Sequence, residues 1–346
     1  MKNVHLLVAD LFLPGDFAVE VCSGLRLPFL EKILSRSVAT RPAVSGEPED
    51  TARAENSGQS LEASLCSLFG VSHSAGVASI SAVFDGLGEG VWLRADPVHV
   101  RLQRDQVVLL PKVSLSQDES RHLCVSLNEY FKDQALEFFA PHPERWYVKL
   151  NELPDIATVP LSQAAGRNIQ DNLPTGGDAM RWRRVFNEIQ MLLHAHPLNA
   201  AREARGDVPV NSVWLWGGGA GFTRIQGDYA SASSDEVLVQ MLAFAVGVPF
   251  ADWSPVWRGD SGLLVWNGLR SALQCGDLVR WRDELQRFET GYAKPLWEAV
   301  CDGRIARLTV DIQSADARHR LNLSRGNAWA LWRRSRPLAD YSLKTR

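Results

Sequence analysis

No two cysteines stand close together: Cys22, Cys66, Cys124, Cys275 and Cys301 are odd in number and widely scattered. Zinc and dithiol motifs need two thiols within a few positions, so this spacing excludes them and predicts reduced, mostly buried thiols. No apolar run is long enough for a bilayer, and Asp10 and Asp16 interrupt the N-terminal stretch where a signal peptide stays apolar. A cytoplasmic protein without a membrane partner is expected. Charge of one sign is also missing: the formal net charge is −3. The molecule therefore lacks the positive field that draws proteins onto nucleic acid or anionic lipid. Histidine is scarce in the second half, where only His319 follows Arg202, so an imidazole-rich cluster cannot be assembled from that half alone.

What is present is ordinary globular material. With 346 residues, 45% hydrophobic and 22% charged, the chain is long enough for two packed lobes without disulfides or metals as staples. Twelve tryptophans point to large aromatic cores, because most tryptophan is packed.

The apolar run Val4–Ala9 ends at Asp10 before a Pro-Gly loop, the pattern of a buried parallel strand delivering a carboxylate at its carboxyl end. Leu25–Leu34 and Leu61–Phe69 have helical spacing; between them the polar, aromatic-free Ala39–Ser60 reads as a mobile loop. Residues 91–113 contain two strand-like segments. A helix from about Ser116 through Leu127 and the strand Arg145–Leu150 follow. Gly177–Leu193 is read as a helix, and a second helical stretch follows it up to Gly206. Next comes a strand leaving through Gly217, Gly218, Gly219 and Gly221. Asp235–Val246, Leu263–Leu273 and Asp277–Val300 read as helices, and Arg304–Ile312 as a closing strand. Alternating helices and apolar strands predict an α/β fold with a mostly parallel sheet and helices on both faces, plus an inserted smaller α+β lobe. The expected division is a discontinuous core at 1–87 and 176–325, an insert at 88–175 and a tail at 326–346.

Several constellations carry chemistry. The glycine cluster could approach a phosphate, but it lacks the lysine and spacing of the known phosphate loops, and a tight turn at a strand end is the favoured explanation. His196, Asn199 and Arg202 lie within one short segment, with Asn199 and Arg202 sharing a helix face at i, i+3; an arginine fork beside an amide suits phosphate or carboxylate. The bland alternative is a capped helix with solvated arginines. Arg94 and Asp96 share one face of a strand, and Pro97 raises the possibility of an edge. The arginine–tryptophan clusters at 181–184 and 332–336 read as solvated faces rather than a nucleic-acid surface.

The stretch HPLNAAREARGDVPVNSVWLWGGG, supported by VWLRADPVHV, LSQDESRHLCVSLNEYF and PERWYVKL in the same order, resembles the archaeal-type cofactor-independent phosphoglycerate mutases of the alkaline phosphatase superfamily. A closer likeness is to the bacterial RpfE-type regulatory proteins, a diverged branch. The resemblance implies an alkaline-phosphatase-like core, substrate- or anion-facing roles for Arg94, Arg145, His196, Asn199 and Arg202, and metal-ligand positions at Asp10, Asp277 and Asp311. Phosphoryl transfer in that family runs through a serine beside two cations, which need about half a dozen carboxylate and imidazole ligands. Here the late ligand motifs are reduced to LRSALQCGDLVRWRDELQRF and LTVDIQSADARH, and no nucleophile motif surrounds Ser45, Ser57, Ser60 or Ser64. The expectation is a catalytically degenerate protein without a cofactor, binding a small phosphorylated or carboxylate ligand or a protein partner. The alternative is an active mutase using Mn2+ or Zn2+ at an altered site.

Overall fold

A computed structural model of the chain describes residues 2–13, 15–40, 60–71, 76–103, 106–110, 113–219, 227–260, 262–274, 276–314, 318–330 and 332–342. Most of the loop expected at Ala39–Ser60, with Ser45 and Ser57, lies outside these residues, as do Cys275 and Gly221.

In chain order the first elements are β1 (Lys2–Ala9), α1 (Gly15–Cys22), α2 (Pro28–Arg36), β2 (Val38–Thr40), α3 (Leu61–Leu68) and α4 (Val77–Phe84). Next come β3 (Val91–Gln103), β4 (Gln106–Leu110), α5 (Gln117–Phe131), β5 (Glu137–His142), β6 (Arg145–Leu150), α6 (Ala179–His194), α7 (Pro197–Arg205) and β7 (Ser212–Gly219). The last group is β8 (Ala232–Ser234), α8 (Val237–Val246), β9 (Phe250–Asp252), β10 (Gly262–Trp266), α9 (Gly268–Gln274), α10 (Leu278–Phe288), α11 (Lys294–Cys301), β11 (Ile305–Gln313) and β12 (Arg318–Ser324). No helix among the described residues is long and apolar enough to cross a membrane.

The chain forms two compact units, residues 1–65 with 226–346 and residues 66–225. The first holds a seven-stranded sheet in the order β2-β12-β11-β1-β10-β8-β9. It is parallel from β11 to β9, with β12 and β2 antiparallel at one end. One face buries Leu6, Val8, Leu264 and Val310 against Ile33 of α2, Trp281 and Leu285 of α10 and Leu296 of α11. The alternate residues Leu7, Leu263 and Val265 are sealed too, so both faces are covered, as a parallel sheet requires.

The second unit is an antiparallel sheet, β4-β3-β6-β5 with β7 on the free flank of β3. Its core packs Leu93, Trp146 and Val148 against Leu127 and Phe131 of α5 and Trp182 and Ile189 of α6. Helix starts follow their sequence signals: Ser116 and Glu119 form a reciprocal capping box on α5, and Pro197 opens α7 while Gly206 (φ +83) closes it. Pro97 is tolerated because β6 pairs with β3 only up to Arg94 and β4 only from His99, leaving that flank free between them.

Three expectations are corrected. The second unit is wider than 88–175, because β7 hydrogen-bonds to β3 and α6 fills its core. Leu263–Leu273 is a strand followed by a short helix: GLLVW is apolar on both faces because β10 lies between β1 and β8, and periodicity cannot separate such a run from a buried helix. Residues 326–342 are not a loose tail, since Ala328, Leu338 and Ala339 belong to the core of the first unit.

Candidate functional site

In the first unit the structure places the metal-ligand candidates among guanidinium groups. Asp10 closes β1 with φ +55, a left-handed conformation that aspartate tolerates better than most residues. Its N–H donates to the Gln313 carbonyl at 2.7 Å, which fixes the turn, and Nε of Arg270 donates to its carboxylate at 2.7 Å. Arg270 comes from α9, immediately beyond β10. Burial opposes its charge, but Asp10 first, and then Glu62 and Glu236, hold the guanidinium protonated above its ordinary range. Glu236 is itself pushed up by burial and caps α8, accepting from the Leu238 N–H and from Asn267 Nδ2. Arg270 is thus paired with Asp10 and feels the charges of Glu62 and Glu236 from two further segments.

Asp311 repeats the arrangement on β11. Fully buried, it accepts from Arg318 and Arg320 at 2.7 Å each and faces His5 Nε2 at 2.9 Å. Burial pushes its pKa up, yet Arg320 and His5 together hold the carboxyl far below the usual range. His5 Nδ1 in turn contacts the Tyr229 hydroxyl at 2.8 Å, and burial pushes Tyr229 up to about 12. Asp277 is apart from both: exposed, it caps α10 by accepting the Arg280 N–H. Among the described residues no group of three or more histidine, cysteine, aspartate or glutamate side chains is disposed to hold a metal ion. The donor set does not fit a dinuclear centre, because Asp10 and Asp311 are engaged by arginines and Asp277 serves as a helix cap. The described serine candidates are also engaged: Ser60 Oγ accepts from the Ala63 N–H, and buried Ser64 donates to Gln313 Oε1.

The anion-binding candidates lie in the second unit and fall into two sets. Arg145, at the start of β6, grips Asp85 with two N–H donors at 2.6 and 2.7 Å, and the Tyr147 hydroxyl donates to the same carboxylate. Burial works to raise Asp85, but the hydrogen bonds from Arg145 and Tyr147 leave it below its ordinary value. Arg94 on β3 donates to Asp96 through Nε and Nη2, and its guanidinium lies 5.3 Å from the ring centres of both Tyr147 and Trp216. Trp216 Nε1 occupies the other Asp96 oxygen at 2.7 Å. Tyr147 thus joins two neutral arginine–aspartate pairs into one cluster.

His196, Asn199 and Arg202 serve α7. His196 caps it, accepting the Leu198 N–H through Nδ1 and facing Ser126 Oγ through Nε2, and burial, with His122 adding to it, lowers its pKa. Asn199 donates to the Leu193 and Val210 carbonyls and accepts the Val210 N–H. Arg202, 2% exposed, donates to the Val208 and Ser114 carbonyls and to Glu119. The segment is a capped helix in which Arg205 is exposed but Arg202 is buried rather than solvated. The glycine that ends β7 also has a packing role: a Cβ on Gly76, at the start of α4, would lie 2.4 Å from Gly219, and Ser79 Oγ donates to the Gly219 carbonyl.

No protein-family model matches the chain. A 2,3-bisphosphoglycerate-independent phosphoglycerate mutase of Methanothrix thermoacetophila is 37% identical over 65 residues, 19% of this chain and 17% of that protein. One from Methanosarcina barkeri is 25% identical over 146 residues, 40% of this chain and 37% of that protein. The matched regions therefore span well under half the length of these relatives. The solved structure of the PH0037 protein from Pyrococcus horikoshii superposes with a TM-score of 0.51 at 14% identity, covering 94% of this chain and 88% of that one. The fold is cofactor-independent phosphoglycerate mutase-like. Against that mutase-like fold, Arg270, Glu62 and Glu236 are what sequence reasoning missed. They come from three segments far apart in the chain, so no spacing pattern announces them, and only the polar character of Glu236 just before an apolar helix was visible.

Proposed function

We propose that this chain is a catalytically degenerate relative of the mutases, of the RpfE-type regulatory kind, working in the cytoplasm as a ligand-sensing or regulatory protein. The observation that carries this reading is the Arg270 guanidinium bonded to Asp10, reinforced by Arg318 and Arg320 on Asp311. A bound guanidinium neutralises carboxylates as a cation does, but it offers no open coordination position to a phosphoryl oxygen. In this reading a small phosphorylated or carboxylate ligand is held by Arg94 and Arg145, with His196, Asn199 and Arg202 fixing the neighbouring backbone. A protein partner would then read the ligand state. Because each of the two arginines already has an aspartate partner, ligand must compete with Asp85 and Asp96, which favours modest affinity.

Isothermal titration with 3-phosphoglycerate, with and without manganese, tests the reading. Saturable binding that is indifferent to the metal supports it, and no binding under any condition removes the pocket. The alternative of an active mutase with an altered Mn2+ or Zn2+ site is favoured by the local matches to named mutases. It requires interconversion of 2- and 3-phosphoglycerate that depends on manganese or zinc.

A further inference from the structure

A cleft of about 650 Å³ opens in the first unit. Its walls include residues directly after three parallel strands: Asp235 after β8, Trp253 after β9 and Trp266 at the end of β10. The carboxyl ends of parallel strands are where open α/β sheets bind ligands, and the volume falls in the range of small-molecule sites.

Four aromatic rings in this wall are nearly parallel. Trp253 stacks on Tyr292 at 4.1 Å and 11°, Trp266 on Phe288 at 4.3 Å and 8°, and Phe288 is inclined only 4° to Tyr292. Trp266, Phe288 and Tyr292 are almost sealed, whereas Trp253 is half-buried and lines the cleft. A π-helical turn, Glu289–Ala293, separates α10 from α11 and carries Tyr292 into the wall; such turns are often found at functional sites. At the rim, the exposed Arg280 guanidinium makes no hydrogen bond or ion pair with any described residue, while Arg287 is tied to Glu284 at 2.9 Å. Asp235 accepts the Asn267 N–H through one carboxylate oxygen.

We propose that this cleft binds a purine mononucleotide, with the base stacked on Trp253, an N–H edge of the base donating to Asp235 and the phosphate paired with Arg280. Parallel aromatic faces select a flat ring, an acceptor on the wall selects a base bearing N–H groups, and a free guanidinium at the mouth selects an anion. The proposal does not rest on the ligand reading of Arg94 and Arg145, and it fails or stands separately from it.

The test is isothermal titration of the full chain with GMP, AMP, guanosine and inorganic phosphate. A nucleotide is expected to bind at one site per chain, guanosine about tenfold more weakly, and phosphate without measurable heat. Trp253→Ala is expected to weaken nucleotide binding about tenfold or more, with Trp253→Phe restoring most of it. Arg280→Ala, at an exposed position that leaves the fold intact, is expected to reduce GMP to the affinity of guanosine while leaving guanosine unchanged. Absence of binding by both nucleotides overturns the proposal, as does nucleotide binding that is unaffected by Arg280→Ala.

Discussion

Arg270 donates a 2.7 Å hydrogen bond to Asp10, so a positive side chain is fixed to the carboxylate that ends the central strand of the first unit. The partners are 260 positions apart in the sequence and are both largely buried. Removing the arginine leaves Asp10, Glu62 and Glu236 without their shared counter-charge. Arg270→Ala is therefore expected to cost about 3 kcal/mol of stability in urea unfolding, with a smaller additional loss for Arg270→Ala/Asp10→Ala than independent sites would give. Strict additivity would show that the two side chains do not act as a pair.

Asn199 and Arg202 hold α7 to the segments beside it, with their polar atoms turned inward. Asn199→Ala strands the Val210 N–H and two carbonyls and is expected to cost about 2 kcal/mol or more. The affinity of the folded protein for 3-phosphoglycerate should hardly move. A large fall in affinity at unchanged thermal stability would return Asn199 to direct ligand contact.

Asp85 competes with any anion for Arg145. Asp85→Asn removes the competing charge and is expected to raise 3-phosphoglycerate affinity by about tenfold, whereas Arg145→Met abolishes binding. Calorimetric titration of both variants decides this, and equal affinities in wild type and both variants would place the ligand elsewhere.

Glu119 joins the capping box of α5 to Arg202 and Arg205. Burial alone would raise its pKa, but the Ser116 N–H and then the two arginines bring it down to about 2. The unfolded chain binds the proton more readily, so stability from this group is present above about pH 4.5 and is lost as pH falls toward 2. Glu119→Gln should flatten the stability profile between these values while lowering stability at neutral pH. An unchanged acid slope would assign the acid loss to other carboxylates.

The first strand, the start of the helix at Ser116, the second helical stretch ending at Gly206 and the strand Arg145–Leu150 were legible because their signals are local, such as an apolar run or a terminating Gly. The strand β10 was hidden because burial on both faces erases period-two alternation, and β12 because its RHRLNLS pattern is mostly polar at the antiparallel end of the sheet. Site residues divided in the same way. Arg94 and Asp96 share a strand face as alternation predicts, and the structure makes them an ion pair. The partnership of Asp10 with Arg270, or of Arg145 with Asp85, depends on strand order and is not written in any spacing. Nor does residue type reveal whether an arginine faces a ligand or its own backbone, which is why Arg202 looked like a ligand fork from sequence.

Metal content of the purified protein, measured by mass spectrometry after dialysis against excess Mn2+ and Zn2+ and removal of free ions, bears most directly on the arginine-for-cation substitution. If guanidinium groups hold Asp10 and Asp311, far less than one equivalent of metal should remain per chain. Two equivalents retained by the wild type, and lost on Asp10→Asn, would contradict it.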